Sequence, residues 1–336
     1  MTIDTDFTRM FHLKLPVIMA PMFLVSNEAM MQAAMRFGIM GAFPTLNYRQ
    51  AGELDAVLQK LNVFRDANHC QGNYGVNLIV QQTNPLYKKH LEICIQNKVP
   101  FYITSLGNPK EVIEKAHAYG AKVFCDVTNL VHAAKCVSVG CDGFISVGQG
   151  AGGHAGPNAQ VVLIPALKKA FPGIPIIAAG GIADGEGIFA MLATGAAGVS
   201  IGTRFIASTE AGVSDEYKNA IVDSGMEDIV MTDRLSGTPC AVINTPYAKK
   251  IGTHQNFFER WMSHNPTTKK YFKMLVQIRG MKKLEDAVKP GNYHNLWTAG
   301  QSVELIHDIL PCEKILERMQ KEVETSWNNL QQTIHS

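Results

Sequence analysis

The chain has 336 residues, of which 46% are apolar and 18% charged, with a formal net charge of +2. That is ample material for a large core and excludes a disordered chain, and Lys and Arg scattered without a dense block argue against a nucleic-acid partner. Seven cysteines with no C-x-x-C pair argue against a zinc site or disulfide framework and point to a reducing cytoplasm, while no apolar run nears the ~20 residues of a membrane span. The acidic start Met1-Thr-Ile-Asp-Thr-Asp lacks the apolar segment of a signal peptide. A soluble cytoplasmic protein with no metal and no membrane partner is expected.

From Val17 onward, short apolar runs alternate with stretches of helical period. Val17 to Met22 reads as a strand that Pro21 ends. Ser26 then stands as the N-cap of a helix to Phe37, with Met30, Ala33, Ala34 and Phe37 on one face and Gly38 closing it. Met40 to Leu46 is a second strand, and Leu54, Val57, Leu58 and Leu61 mark a second helix. Further strands follow at Tyr74 to Val80, Phe101 to Leu106, Lys122 to Val127, Gly143 to Val147, Pro175 to Ala179 and Gly198 to Ile201, each separated from the next by a helix. Eight apolar strands with intervening helices imply parallel pairing through right-handed crossovers. The alternation alone also fits a doubly wound sheet, but the count favours an α/β (β/α)8 TIM barrel.

After Phe205 the rhythm breaks. Residues 208–295 are richer in polar and aromatic residues, with helical stretches near Asp215 to Ser224 and Asn256 to Met262. They read as a smaller inserted capping domain, either a lid over the site or a peripheral helical decoration. The barrel domain then comprises residues 1–207 plus 296–336. Near the end, Val303 to Leu310 and, after Pro311, Ile315 to Met319 read as a helix pair that includes the eighth barrel helix.

The chemistry concentrates where strands end. After the sixth strand comes Gly148-Gln149-Gly150-Ala151-Gly152-Gly153-His154-Ala155-Gly156, whose glycines let backbone approach a flat or anionic ligand and whose one ionisable side chain is His154. Taken alone, the run serves equally well as a wide turn. The seventh strand ends in Gly180-Gly181 and the eighth in Gly202-Thr203-Arg204, and in barrels these two ends often bind phosphate. Arg204 either neutralises charge there or faces the cap. A ligand with a phosphate at one end and a flat ring at the other fits, with FMN the plainest example. The first strand has no G-x-G-x-x-G after it, so a Rossmann site is not supported. His90, His117, His132 and His307 read as surface or boundary residues on helices, and Cys125 as buried. His254, His264 and His294 fall in the cap, within reach of a substrate.

Ala20-Pro21-Met22, Gly75-Val76-Asn77-Leu78, Ala151-Gly152-Gly153-His154-Ala155-Gly156, Ala178-Ala179-Gly180-Gly181-Ile182-Ala183-Asp184-Gly185 and Ile201-Gly202-Thr203-Arg204-Phe205 occur in that order. Together they resemble the nitronate monooxygenase family, formerly 2-nitropropane dioxygenases, whose sister group is the flavin-dependent enoyl-acyl-carrier-protein reductases. The resemblance implies a barrel holding FMN non-covalently. It carries to Met22, Asn77, Gly150 and Gly152 a place around the flavin, to Gly180, Gly181, Gly202 and Thr203 the phosphate, and to His154 the catalytic or substrate-binding role; Asp126 joins the cofactor-binding candidates by its place at a strand end. Two departures stand out: many relatives carry Glu-Ala-Gly-Gly-His where this chain has Gly150-Ala151-Gly152-Gly153-His154, and Lys-Cys-Thr where it has Asp126-Val127-Thr128.

The activity implied is oxidation of a nitronate, with O₂ as co-substrate, to a carbonyl compound and nitrite. His154 would hold the nitronate oxygens or act as base on the neutral nitroalkane. The alternatives are an enoyl-thioester or NAD(P)H:quinone reductase and a barrel that only binds a phosphorylated ligand. The Ala-Pro-Met ending favours the first, and a homodimer is compatible with every one of these readings.

Overall fold

The computed structural model describes residues 3–81, 83–233, 239–253 and 296–335. Strands β1 (Val17–Met19), β2 (Met40–Pro44), β3 (Asn73–Ile79), β4 (Phe101–Ser105), β5 (Lys122–Val127), β6 (Gly143–Val147), β8 (Ile176–Ala179) and β9 (Gly198–Ile201) form one closed parallel barrel. Pairing of Val17 with Val199 and Met19 with Ile201 shuts the ring. The eight strands coincide with the eight expected from sequence. Numbered in chain order, β7 (Gly153–His154) is a short strand outside the ring.

The barrel interior is apolar at its lower end. Ile18, Met40, Ala42, Phe101, Ile103, Phe124, Ile145 and Ile177 fill it, as inward positions of alternating strands must. Its N-terminal mouth is plugged by α1 (Asp6–Phe11), a helix too short to show a period in the sequence. Thr5 and Thr8 cap α1 reciprocally, and Thr5 Oγ1 donates to Ala197 O at 2.7 Å, which anchors the helix beside β9. Phe7 then lies fully buried, edge-on to Phe101 at 6.2 Å.

The outer ring holds α2 (Glu28–Phe37), α3 (Glu53–Ala67), α4 (Tyr87–Gln96), α5 (Lys110–His117), α6 (Leu130–Val137), α7 (Gln160–Ala170) and α8 (Gly185–Ala193). Asn27, not Ser26, caps α2, its side chain accepting from Met30 N at 3.0 Å. Ser26 is turned back onto the loop before it. After β9 comes α9 (Thr203–Ile206), a single turn, and the eighth helical place is taken much later by α12 (Cys312–His335), which packs on α8 and α2. Gly185 permits that approach, since a Cβ there would stand 2.3 Å from Met319 O. The expected C-terminal helix pair is therefore one 24-residue helix. Gln301–Leu305 form only a 3₁₀ turn, and Leu310 lies extended beside Ser208.

Between α9 and α12 the described residues hold α10 (Asp215–Asp223), β10 (Ile229–Thr232), β11 (Cys240–Ile243) and α11 (Pro246–Ile251). The expected helix at 215–224 is α10, whereas Asn256 to Met262, His254, His264 and His294 lie outside the described residues. The two strands were not legible as such. Each is four residues long, and they form a sheet of order β10-β11-β7 only by recruiting the tip of the glycine loop.

Candidate active site at the C-terminal mouth

The loop after β1 is fixed by two side chains. Ser26 Oγ accepts from Met22 N at 2.9 Å and donates to Ala20 O at 3.0 Å. Asn47 Nδ2 donates to Met22 O and Ser26 O, while its Oδ1 accepts from Leu24 N. Leu24 is thereby held at φ +60°, which a leucine does not adopt unaided. Met22 thus sits on a rigid turn, and its side chain borders Gly202 across the β1–β9 seam.

On the far side of the mouth, three strands contribute a polar row. Asn77 Nδ2 donates to Ile103 O at 3.2 Å and to Ser105 Oγ at 2.8 Å, and Ser105 in turn bonds Asp126 Oδ2. Phe124 points into the barrel core, so Asp126, two residues on, faces the same interior one layer higher. Burial pushes its carboxyl up to about 6, against the lowering effect of the Ser105 hydroxyl.

The glycine-bearing turns of β6 and β8 meet each other. A Cβ on Gly150 would stand 2.9 Å from Gly181 Cα, one on Gly180 would stand 2.5 Å from Ala151 N, and one on Gly152 would stand 2.8 Å from Gly300 N. These three positions are glycine because backbone packs on backbone. Gly181 and Gly153 are different: at φ +80° and +69° they share the left-handed backbone of Gly180, but Cβ atoms there would meet open space or a single distant carbon. Gly202 is also roomy, with Met22 Sδ 3.5 Å from its Cβ position. Thr203 is buried and its Oγ1 accepts from Gly300 N at 3.1 Å, which ties the end of β9 to the 297–300 segment and leaves the hydroxyl proton to give.

Gln160, at the start of α7, locks the same region from behind. Its Oε1 accepts from Ser146 Oγ, and its Nε2 donates to Ser146 O and Ala179 O at 2.6 and 2.7 Å. Gly148 leaves the space that this side chain fills. His154 lies at the loop tip in β7, opposite Cys240 of β11. Its ring keeps exposed surface, yet desolvation lowers its pKa, the condition of a group lining a cleft.

The expected residues thus gather at one end of one barrel: Met22 after β1, Asn77 on β3, Asp126 on β5, Gly150, Gly152 and His154 after β6, Gly180 and Gly181 after β8, and Gly202 and Thr203 after β9. Ser105, Gln160 and Asn47 belong with them and do not stand out in the sequence, because common polar residues gain meaning only from partners that the fold supplies, and Ser26, which reads there as a cap, belongs with them through Met22 and Ala20. Arg204 does not join them. It is buried against Asp308, Nη2 to Oδ1 at 2.9 Å. His117 lies at the surface, as expected, bonded to Asp142, whereas His90 is buried, with Nδ1 unpartnered and burial taking its pKa down to about 4. Among the described residues no cluster of His, Cys, Asp or Glu could hold a metal, and no helix is long and apolar enough to cross a membrane.

A flavin nucleotide can be tested against this mouth. The turns at Gly181, Gly202 and Thr203 offer unobstructed backbone and a hydroxyl for a phosphate, and the Asn77–Ser105–Asp126 row and Met22 offer polar and soft apolar contacts for a flat ring. The residues fit such a group.

A closed (β/α)8 barrel with its polar groups converging at the C-terminal mouth defines the class of barrel enzymes whose chemistry is done there. The nitronate monooxygenase profile matches residues 45–322, and the chain belongs to that family and is an oxidoreductase. Along 94% of both chains it is 27% identical to (3aS,4S,5R,7aS)-5-hydroxy-7a-methyl-1-oxo-octahydro-1H-indene-4-carboxyl-CoA dehydrogenase of Rhodococcus jostii. It is 28% identical to a probable nitronate monooxygenase of Staphylococcus aureus, covering 72% of this chain and 70% of that one. FabK from Thermotoga maritima superposes over 99% of this chain and 100% of its own, with a TM-score of 0.84 and 29% identity.

Proposed function

We propose that the protein is an FMN-dependent oxidoreductase that acts on a small carbon acid, with alkyl nitronates and their parent nitroalkanes as substrates and O₂ as the second substrate. The observation that carries this reading is the convergence of the His154 loop, the Asn77–Ser105–Asp126 polar row and open glycine turns around one mouth. Gly181, Gly202 and Thr203 would hold the phosphate, and Met22, Asn77 and Asp126 would line the ring, with Gly150, Gly152 and Gly180 shaping the wall beside it. Bound FMN would supply the two-electron chemistry that no side chain here can perform. His154, with its pKa lowered, is a neutral imidazole at neutral pH and offers one N–H to the negative oxygens of a nitronate. Residues 208–295 would form the cap, set on the barrel of residues 1–207 and 296–336 and shielding the mouth from water.

A second reading is favoured by the full-length likeness to a CoA-thioester dehydrogenase: the same mouth acting on an acyl thioester, with a nicotinamide as redox partner. Anaerobic titration separates the two. Bleaching of the bound flavin by a nitronate without NADH, followed by recovery in O₂ with release of nitrite, is the expected result. Bleaching by NADH alone, with turnover of a CoA thioester, would replace the first reading with the second.

A further inference from the structure

Residues 297–300 bring the chain back from the capping segment onto the barrel mouth, and elements of both sides close on them. From α10, the buried Tyr217 ring stacks on Trp297, centroids 5.3 Å apart and planes 8° from parallel, and its hydroxyl donates to Thr298 O at 2.6 Å. From β11, Ile243 N donates to Trp297 O at 2.8 Å, and Val242 bridges Thr298 in antiparallel fashion. One aromatic stack, one phenol and a short backbone ladder therefore fix this return segment on its capping side.

On the barrel side the same residues meet the turns described above. Gly300 has φ −97°, which any residue adopts, so glycine is demanded there by space: a Cβ would stand 2.4 Å from Gly150 O and 2.9 Å from Gly152 N. A Cβ on Gly152 would in turn stand 2.8 Å from Ala299 C. Backbone pressed on backbone in this way delivers Gly300 N to Thr203 Oγ1 at 3.1 Å, across 97 residues of chain. A threonine hydroxyl has one proton and two lone pairs, and once an N–H fills one lone pair the proton is confined to the directions that remain. The return segment thus sets where Thr203 can donate, and it backs the glycine loop at the same place.

We propose, on the FMN reading given under Proposed function, that residues 297–300 couple the capping segment to the cofactor phosphate. Docked between α10 and the glycine loop, they aim the Thr203 hydroxyl at the phosphate, and Tyr217 is the residue that positions them. Phosphate binding and docking of the return segment then strengthen one another, each by the same factor, because the coupling is reciprocal. The ring, which on the same reading meets Asn77 and Asp126 on the opposite wall, lies outside the coupling.

Riboflavin carries that ring without the phosphate and supplies the control. The full chain, freed of flavin, is titrated with FMN and with riboflavin by quenching of flavin fluorescence, and circular dichroism verifies the fold of each variant. Wild type should prefer FMN. Tyr217→Phe keeps the stack on Trp297 and removes only the hydroxyl that holds Thr298 O, so it should weaken FMN about tenfold and riboflavin less than twofold. Thr203→Val keeps the shape and removes the donor, and should weaken FMN at least as much, while Thr203→Ser should restore it. In the double variant Tyr217→Phe with Thr203→Val the two losses should not add, since a return segment with no hydroxyl to aim does nothing for the phosphate. Hydrogen exchange in wild type reads the reciprocal effect: the amides of residues 297–305 should exchange several-fold more slowly with FMN bound and at an unchanged rate with riboflavin.

Equal weakening of FMN and riboflavin by Tyr217→Phe, additive losses in the double variant, or exchange that FMN leaves unchanged would each overturn the coupling while the cofactor reading stands. A wild type that binds neither flavin, or binds the two equally, would overturn the assignment of the phosphate to Thr203 and the coupling with it.

Discussion

At the scale of single residues, the glycines around the mouth divide by what a methyl group would meet. Gly180 has φ +108° and a Cβ site 2.5 Å from Ala151 N, so alanine there combines an unfavourable backbone conformation with a backbone clash. Gly153 has φ +69° and open space, so alanine there meets only the conformational penalty. Gly180→Ala should cost about 3 kcal/mol or more in denaturant unfolding, whereas Gly153→Ala should cost about 1 kcal/mol. Equal costs would mean that the β6 and β8 turns do not press on one another. The same division explains what the sequence made legible. A glycine cluster at a strand end stands out, and so does an aspartate inside an apolar run such as Lys122 to Val127. Which glycines serve a ligand and which serve neighbouring backbone depends on contacts between residues 29 or more apart in the chain. Ser105 and Gln160 stayed hidden for the same reason: the Ser105–Asp126 and Gln160–Ala179 bonds exist only once strands are side by side.

At the scale of elements, the strands and helices of the ring were readable because each carries its own apolar pattern and its own stop signal. The sheet β10-β11-β7 was not, since its strands are two to four residues long and one of them is the tip of a loop. That sheet makes β11 the element that sets the backbone beside His154: Cys240 pairs with His154 and Ala241 with Gly153, while Ala241 also pairs with Met231 on the other side. A proline at 241, in the central strand, removes a ladder donor. Ala241→Pro should therefore lower kcat/KM at least tenfold while far-UV circular dichroism still reports an intact barrel, because the eight ring strands share no hydrogen bond with β11. Activity within twofold of wild type would mean that His154 keeps its place without the sheet.

At the scale of the whole molecule, stability and chemistry are assigned to opposite ends of the barrel. The N-terminal mouth is closed by α1 and its phenylalanines, and the C-terminal mouth is left to turns and polar rows. The chain leaves the ring after β9 and must come back to complete it. Asp308 joins the two ends of that excursion: its Oδ1 lies 2.9 Å from Arg204 Nη2, just past β9, and its Oδ2 lies 2.8 Å from Arg318 Nη1 on α12. Arg204 is almost wholly buried, its side chain 5% exposed, and meets no other carboxylate among the described residues. Burial would raise the Asp308 carboxyl, but Arg318 and Arg204 outweigh it and hold the group below its ordinary value.

A carboxyl depressed on folding contributes stability that is present above its unfolded pKa, near ~3.9, and is lost as pH falls through its lower folded value. Asp308→Asn leaves the buried guanidinium without its counter-charge, a loss of about 3–5 kcal/mol for a fully enclosed pair, reduced to roughly 2–3 kcal/mol here because Asp308 is one-third exposed. Chemical denaturation of the variant should show that loss at pH 7. The gap to wild type should shrink as the pH is taken below about 4, since protonation then does to wild type what the substitution has done already. A gap that stays constant with pH would mean that Asp308 holds α12 to the barrel by shape and neutral hydrogen bonds alone. Arg204 would then be stabilised by the carbonyl oxygens of Asp308 and Ala207, which it already reaches at 3.0 and 3.4 Å.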